Sequence, residues 1–188
     1  MSEIYDRRRR NDLDLFVLAL LDSGISTPYD LKQLAGLSPG ATIPAMRRLI
    51  SQKLVIAGNA GARGRLAYKA KAEGRQYLRT AWRKLVEAGP SGDLDADLRV
   101  ALLAFLVGGD RALAIDFLRQ SAAKMRVAAK SVERTSDAGV PPALAYWYRK
   151  LRSAAAESLV QGEAAAALRL ARMLARIPAG QHPRKRPS

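Results

Sequence analysis

Ser38-Pro39-Gly40-Ala41-Thr42, followed by Arg47-Arg48, is the stretch whose residue types and spacing could do chemistry. That chemistry is recognition of a polyanion, not bond-making. Ser38 can cap a helix, its hydroxyl accepting from the free N–H groups of the first turn. Pro39 then falls at the first helical position, where no N–H is missed and φ is already set. Gly40, Ala41 and Thr42 are small, so a phosphate or base edge can come close to the positive end of the helix dipole. Ile43, Met46, Leu49 and Ile50 recur at helical spacing and are expected to bury one face, with Arg47 and Arg48 beside it. Pro44, inside the helix, is expected to bend it, its ring pressing on the carbonyl of Gly40.

Further cations follow. Lys53, Arg63, Arg65 and Lys69 belong to a segment, Arg47 to Lys84, that holds eleven basic residues and one acid, Glu73, for a net charge of +10. Ser91 to Pro178 holds thirteen basic and nine acidic residues, a net of +4. The whole chain of 188 residues carries +15, with a pI near 10.8. Its excess charge is therefore concentrated in and after the opening stretch, which favours an anionic partner.

Enzyme chemistry finds little to work with. Cysteine is absent, and the single histidine, His182, lies in a Pro/basic tail. Neither a thiolate metal site, a cysteine nucleophile nor a His-based catalytic set can be assembled. Asp93, Asp95 and Asp97 sit where a helix should start, and capping explains them. The expectation is a non-enzyme without a cofactor. The apolar run Leu13 to Leu21 is interrupted by Asp14, and no run reaches the roughly 20 apolar residues of a membrane span. A cytoplasmic, nucleoid-associated location without a membrane partner is expected.

The elements that would hold these residues follow from caps and periodicity. A helix over Asp12 to Leu21 is capped by Asn11 or Asp12. Ser26 or Thr27 caps a second helix that opens at Pro28, places Leu31 and Leu34 inward and ends at Gly36. A separation of one residue, Leu37, from the next cap makes a helix-turn-helix. Leu54 to Ala57 and Arg65 to Lys69 read as a hairpin around a Gly-rich tip, Gly58 to Gly64, which would carry Arg63 and Arg65. Ala72 to Glu87 is a helix with Leu78, Trp82 and Leu85 on one side and Arg75, Arg79, Arg83 and Lys84 on the other.

After the linker Ala88-Gly89-Pro90-Ser91-Gly92, more helices are expected. The first buries Leu98, Leu102, Phe105 and Leu106. The second has the stripe Ala114, Leu118, Ala122, Met125, Ala129 and Val132. A third opens at Pro141-Pro142, and Gly162 is expected to interrupt or kink the chain before a last helix with Leu168, Ala171, Leu174 and Met173 or Ile177 inward. The division expected is a basic arm, 1–11, a DNA-binding domain, 12–88, a helical dimerisation domain, 93–178, and a basic tail, 179–188. Tyr146, Trp147 and Tyr148 form an aromatic cluster. Trp82, Trp147 and Tyr148 are candidate contacts for a small aromatic effector, with interface packing as the alternative.

Leu37-Ser38-Pro39-Gly40, then Pro44-Ala45-Met46-Arg47-Arg48-Leu49, Leu54-Val55, the Arg-rich hairpin, Tyr68 and Gly74-Arg75 together resemble the PadR family of bacterial transcriptional regulators. The resemblance covers roughly residues 12–86. It implies a mainly α fold, an N-terminal winged helix-turn-helix with a two-stranded wing followed by an all-α C-terminal dimerisation region. It also implies a homodimeric, sequence-specific repressor of transcription that binds double-stranded DNA at a pseudo-palindromic operator. Contacts would come from Ser38, Gly40, Thr42, Arg47, Arg48, Lys53, Arg63, Arg65 and Lys69. The chain departs from the family at Ile43, where a tyrosine is common, at Ile50, where glutamate is frequent, and at Lys71, where threonine occurs. The alternative is an architectural nucleic-acid-binding protein with little sequence preference.

Overall fold

Leu15, Val17, Leu18 and Leu21 are buried on a first helix, α1, that runs from Ser2 to Asp22. The computed structural model describes residues 2–60, 66–134 and 143–177; at 2–10, 59–60, 129–134 and 143–158 it describes the backbone alone. Arg63 and Arg65, the 135–140 loop and the tail from 179 lie outside the described residues, as do the side chains of Arg7 to Arg10, Tyr146, Trp147 and Tyr148. Helix α1 begins well before the expected Asp12. Arginine is a good helix former, so the Arg7–Arg10 run continues the helix instead of forming a separate arm. The expected caps Asn11 and Asp12 lie inside it.

Helix α2, Pro28–Ala35, has the expected ends. Thr27 accepts from the Asp30 N–H at 3.1 Å, and its hydroxyl donates to Asp30 Oδ2 at 2.8 Å. Gly36 closes the helix at φ 68°, a conformation that glycine adopts without a Cβ penalty. Leu31 is fully buried, but Leu34, expected inward, is 73% exposed. Helix α3, Pro39–Ser51, passes through Pro44 without a break. Strands β1, Val55–Ala60, and β2, Leu66–Ala70, pair antiparallel with Val55 opposite Ala70 and Ile56 opposite Lys69. The first pair faces the core and the second faces out. The Tyr68 N–H donates to the Ser26 carbonyl at 2.7 Å, tying β2 to the loop between α1 and α2.

Helix α4, Ala72–Glu87, packs tightly at both ends. A Cβ on Gly74 would collide with the Leu54 carbonyl, so this glycine permits the helix to meet the chain leading into β1. Trp82 is 4% exposed and donates its indole N–H to the Arg79 carbonyl at 3.1 Å. Its ring fills the space that a Cβ on Gly108 would occupy.

Helices α5, Leu94–Leu106, α6, Arg111–Arg134, and α7, Ala143–Arg176, complete the described chain. Of the stripe expected on α6, Ala114, Leu118, Ala122 and Met125 are buried. On α5 the phase differs. Val100, Ala101, Leu103 and Ala104 are buried, while Leu106 is exposed; a helix apolar on all sides does not fix its own buried face. Helix α7 runs through Gly162 without the interruption that was one of the two expectations there. On it Ala171 and Leu174 are buried and Met173 is exposed. Nothing lies within 4 Å of a Cβ built on Gly162. Gly162→Ala is therefore expected to stabilise the protein by about 0.5–1 kcal/mol, read by urea denaturation.

The described residues form a mainly helical protein with one two-stranded antiparallel sheet between α3 and α4. One hydrophobic core runs from Leu15 through Met46, Leu49, Val55 and Trp82 to Val100, Leu118 and Leu174. It crosses the expected boundary at 88–92. A smaller cluster of Ala122, Met125, Ala164 and Ala167 joins α6 to α7, where alanines let the two helices approach closely.

Candidate nucleic-acid interface

The two faces of α3 separate cleanly. Thr42, Ala45, Met46 and Leu49 are buried, and Gly40, Ile43, Pro44, Arg47 and Ile50 are exposed. The expected buried face thus holds for Met46 and Leu49 and fails for Ile43 and Ile50, which are 39% and 37% exposed. Thr42 takes the inward position instead. Its hydroxyl donates to the Ser38 carbonyl at 3.2 Å, a local bond that lets a threonine turn inward on a helix. Thr42 is fully buried and therefore withdrawn from the set expected to touch DNA.

Ser38 occupies the N-cap position with extended backbone, but its hydroxyl makes no cap bond. The Ser38 carbonyl accepts from the Ala41 and Thr42 N–H groups at 3.1 and 3.0 Å. Both Ser38 and Gly40 are exposed, and nothing stands within 4 Å of a Cβ built on Gly40. The small-residue opening of α3 is therefore accessible, as expected.

The two arginines part company. Arg47 is exposed on the outward face. Arg48 turns back and grips Asp14 of α1 with two bonds, Nε to Oδ2 at 2.8 Å and Nη2 to Oδ1 at 2.6 Å. This planar fork is the strongest geometry open to an arginine and a carboxylate. The hydrogen bonding to the Asp14 carboxylate holds the Arg48 guanidinium above its already high ordinary pKa. Arg48 thus braces α3 against α1. Sequence reading supplied its charge but missed its partner. The available signal was an acid, Asp14, set in the apolar run of α1, where a buried carboxylate demands a cation.

Lys53 follows α3 at φ 60°, with its N–H donating to the Ile50 carbonyl at 2.8 Å. It is exposed, as is Lys69 on the outward face of β2. Arg47, Lys53 and Lys69 are thus exposed on consecutive pieces of chain. The N–H of Glu73 itself, and then Lys71 at 3.6 Å, hold the Glu73 carboxyl below its usual range. Arg75 reaches the Ala70 carbonyl at 3.0 Å and Asp22 at 4.0 Å. Arg83 stacks its guanidinium over the Trp82 ring at 5.4 Å.

The aromatic effector site is corrected at Trp82, whose ring belongs to the core between α4 and Gly108. A groove of about 780 Å³ lies beside the sheet, lined by Asp22, Ser26, Tyr68, Lys69 and Arg75 among others. Trp82 does not border it.

Among the described residues no group of three His, Cys, Asp or Glu could hold a metal ion, and no helix is long and apolar enough to cross a membrane. The chain matches no protein-family model and no curated protein.

Proposed function

We propose that the protein is a sequence-specific DNA-binding regulator of transcription, acting as a homodimeric repressor of PadR type on a pseudo-palindromic site. In this reading α2 and α3 form a helix-turn-helix, β1 and β2 form the wing, and α3 enters the major groove. The observation that carries it is the exposed face of α3. Its small-residue N-terminus and Arg47 stand free on a helix whose other face is locked by Met46, Leu49 and the Arg48–Asp14 fork. Exposed Lys53 and Lys69 flank that face within the segment of net charge +10.

Such a helix reads base edges while cations on either side hold phosphates. Two copies related by a twofold would set two α3 helices about one DNA turn, roughly 34 Å, apart. Exposed Val127 and Leu159 on α6 and α7 leave apolar surface for the second copy.

Selection of bound DNA from a random-sequence pool at physiological salt tests the reading. A symmetric enriched motif supports it. Enrichment of no motif, with equal affinity for all sequences, removes it in favour of an architectural role. The cations give a finer expectation. Arg47→Ala and Lys69→Ala should each weaken binding and shallow the slope of log K against log salt by about one unit if they meet phosphates. Arg48→Ala should leave that slope unchanged. Fluorescence anisotropy across a salt series reads all three.

A further inference from the structure

Of the outward positions of α3 after Pro39, namely Gly40, Ile43, Pro44, Arg47, Ile50 and Ser51, Arg47 and Ser51 carry a side-chain hydrogen-bond donor. The Ser51 hydroxyl, at the far end of the helix, donates back to the Arg48 carbonyl at 2.8 Å. The hydroxyl of Thr42 is turned inward to the Ser38 carbonyl. Pro44 offers neither a polar side chain nor an N–H. A base edge that met Ile43 and Pro44 would give up its water and gain no hydrogen bond, which is unfavourable for a polar edge. One feature of the major groove is apolar, the 5-methyl group of thymine. The open space over Gly40, one turn before Ile43 on the same face, leaves room for that methyl against the isoleucine. The face cannot rotate to present other residues, because Thr42, Ala45, Met46 and Leu49 are locked in the core.

We infer that Ile43 is a specificity residue that reads the 5-methyl group of thymine, an inference that rests on the DNA-binding reading above. Arg47, one turn on, supplies the polar contact of the same face, and Ile43 supplies the apolar one.

Deoxyuridine pairs as thymidine does and differs by that methyl alone, so it is the probe. The selected site is remade with deoxyuridine at each thymidine position in turn, and binding of the full chain is measured by fluorescence anisotropy. At one position in each half-site the replacement should weaken binding about fourfold, the effect of one methyl leaving an apolar contact. Ile43→Ala should bind the thymine and uracil sites alike, and Ile43→Val should keep a preference for thymine. Circular dichroism checks that both variants fold, as an exposed position should allow.

The inference is overturned if no deoxyuridine replacement changes affinity in the native protein, or if Ile43→Ala keeps the full penalty. A selected site insensitive to deoxyuridine sinks this inference and leaves DNA binding standing. A pool that yields no preferred sequence sinks both.

Discussion

Arg99→Met is expected to cost about 3–5 kcal/mol of folding stability at neutral pH, and to return part of that loss as the pH falls. Arg99 on α5 donates from Nε to Asp12 Oδ2 on α1 at 2.7 Å, and both side chains are largely buried. The other carboxylate oxygen of Asp12 is buried with no hydrogen-bond partner among the described residues. Burial pushes the Asp12 carboxyl above its ordinary pKa, against the opposing pull of Arg99. The folded state therefore holds the Asp12 proton more tightly than the unfolded chain. The stability this group contributes is fully present below its unfolded pKa and is lost as the pH rises through the folded value.

Removing Arg99 removes the pull that opposes burial, and the folded pKa climbs further. The deficit of Arg99→Met should be largest above that raised value and should shrink as the pH falls toward the ordinary carboxyl range. Urea denaturation of both proteins between about pH 4 and pH 8 checks it. A deficit constant across that range would show that the lost stability does not come from an ionised Asp12.

Asp97→Ala is expected to cost about 3 kcal/mol or more, the result of orphaning one buried and three part-buried donors at once. Asp97 is 1% exposed. Its Oδ1 accepts from the Ser91 N–H at 2.7 Å and the Ser91 hydroxyl at 2.8 Å. Its Oδ2 accepts from the Gly92 N–H at 3.1 Å and the Ser121 hydroxyl at 2.7 Å. One carboxylate thus joins the junction before α5 to α6. Lys124 adds a bond from Nζ to the Pro90 carbonyl at 2.7 Å. Asp95→Ala, on the exposed side of the same first turn, should cost well under 1 kcal/mol. A similar small loss at both positions in thermal or urea denaturation would refute the assignment of this role to Asp97.

The contrast between these aspartates shows where sequence reasoning holds. Asp93 does cap α5, accepting from the Ala96 N–H at 3.0 Å, because capping is local and its residue types announce it. The same is true of Thr27, Pro28, Asp30 and Gly36 around α2. Asp97 carries an identical local signal, yet its partners lie on the linker and on α6. Asp12 and Asp14 sit close together on α1, but Arg99 and Arg48 are 87 and 34 residues away from them, and no periodicity reports that. The face of α3 was half legible for another reason. Isoleucines at 43 and 50 and aliphatic residues at 46 and 49 surround the helix with apolar choices, so hydrophobicity does not set its phase. The inward turn of Thr42, which does set it, depends on a bond between a hydroxyl and the carbonyl four residues back.

Helix α1 holds Asp12 against α5 and Asp14 against the helix proposed to read DNA. Two residues on a helix are about 200° apart around its axis, so the two carboxylates point to opposite sides. The helix is a strut pinned on both flanks. Packed helices exchange discrete arrangements more readily than they deform. A displacement of α5 must then either carry α3 with it or break an ion pair. The tilt of α3, the helix proposed to read DNA, is accordingly coupled to the far half of the chain through α1.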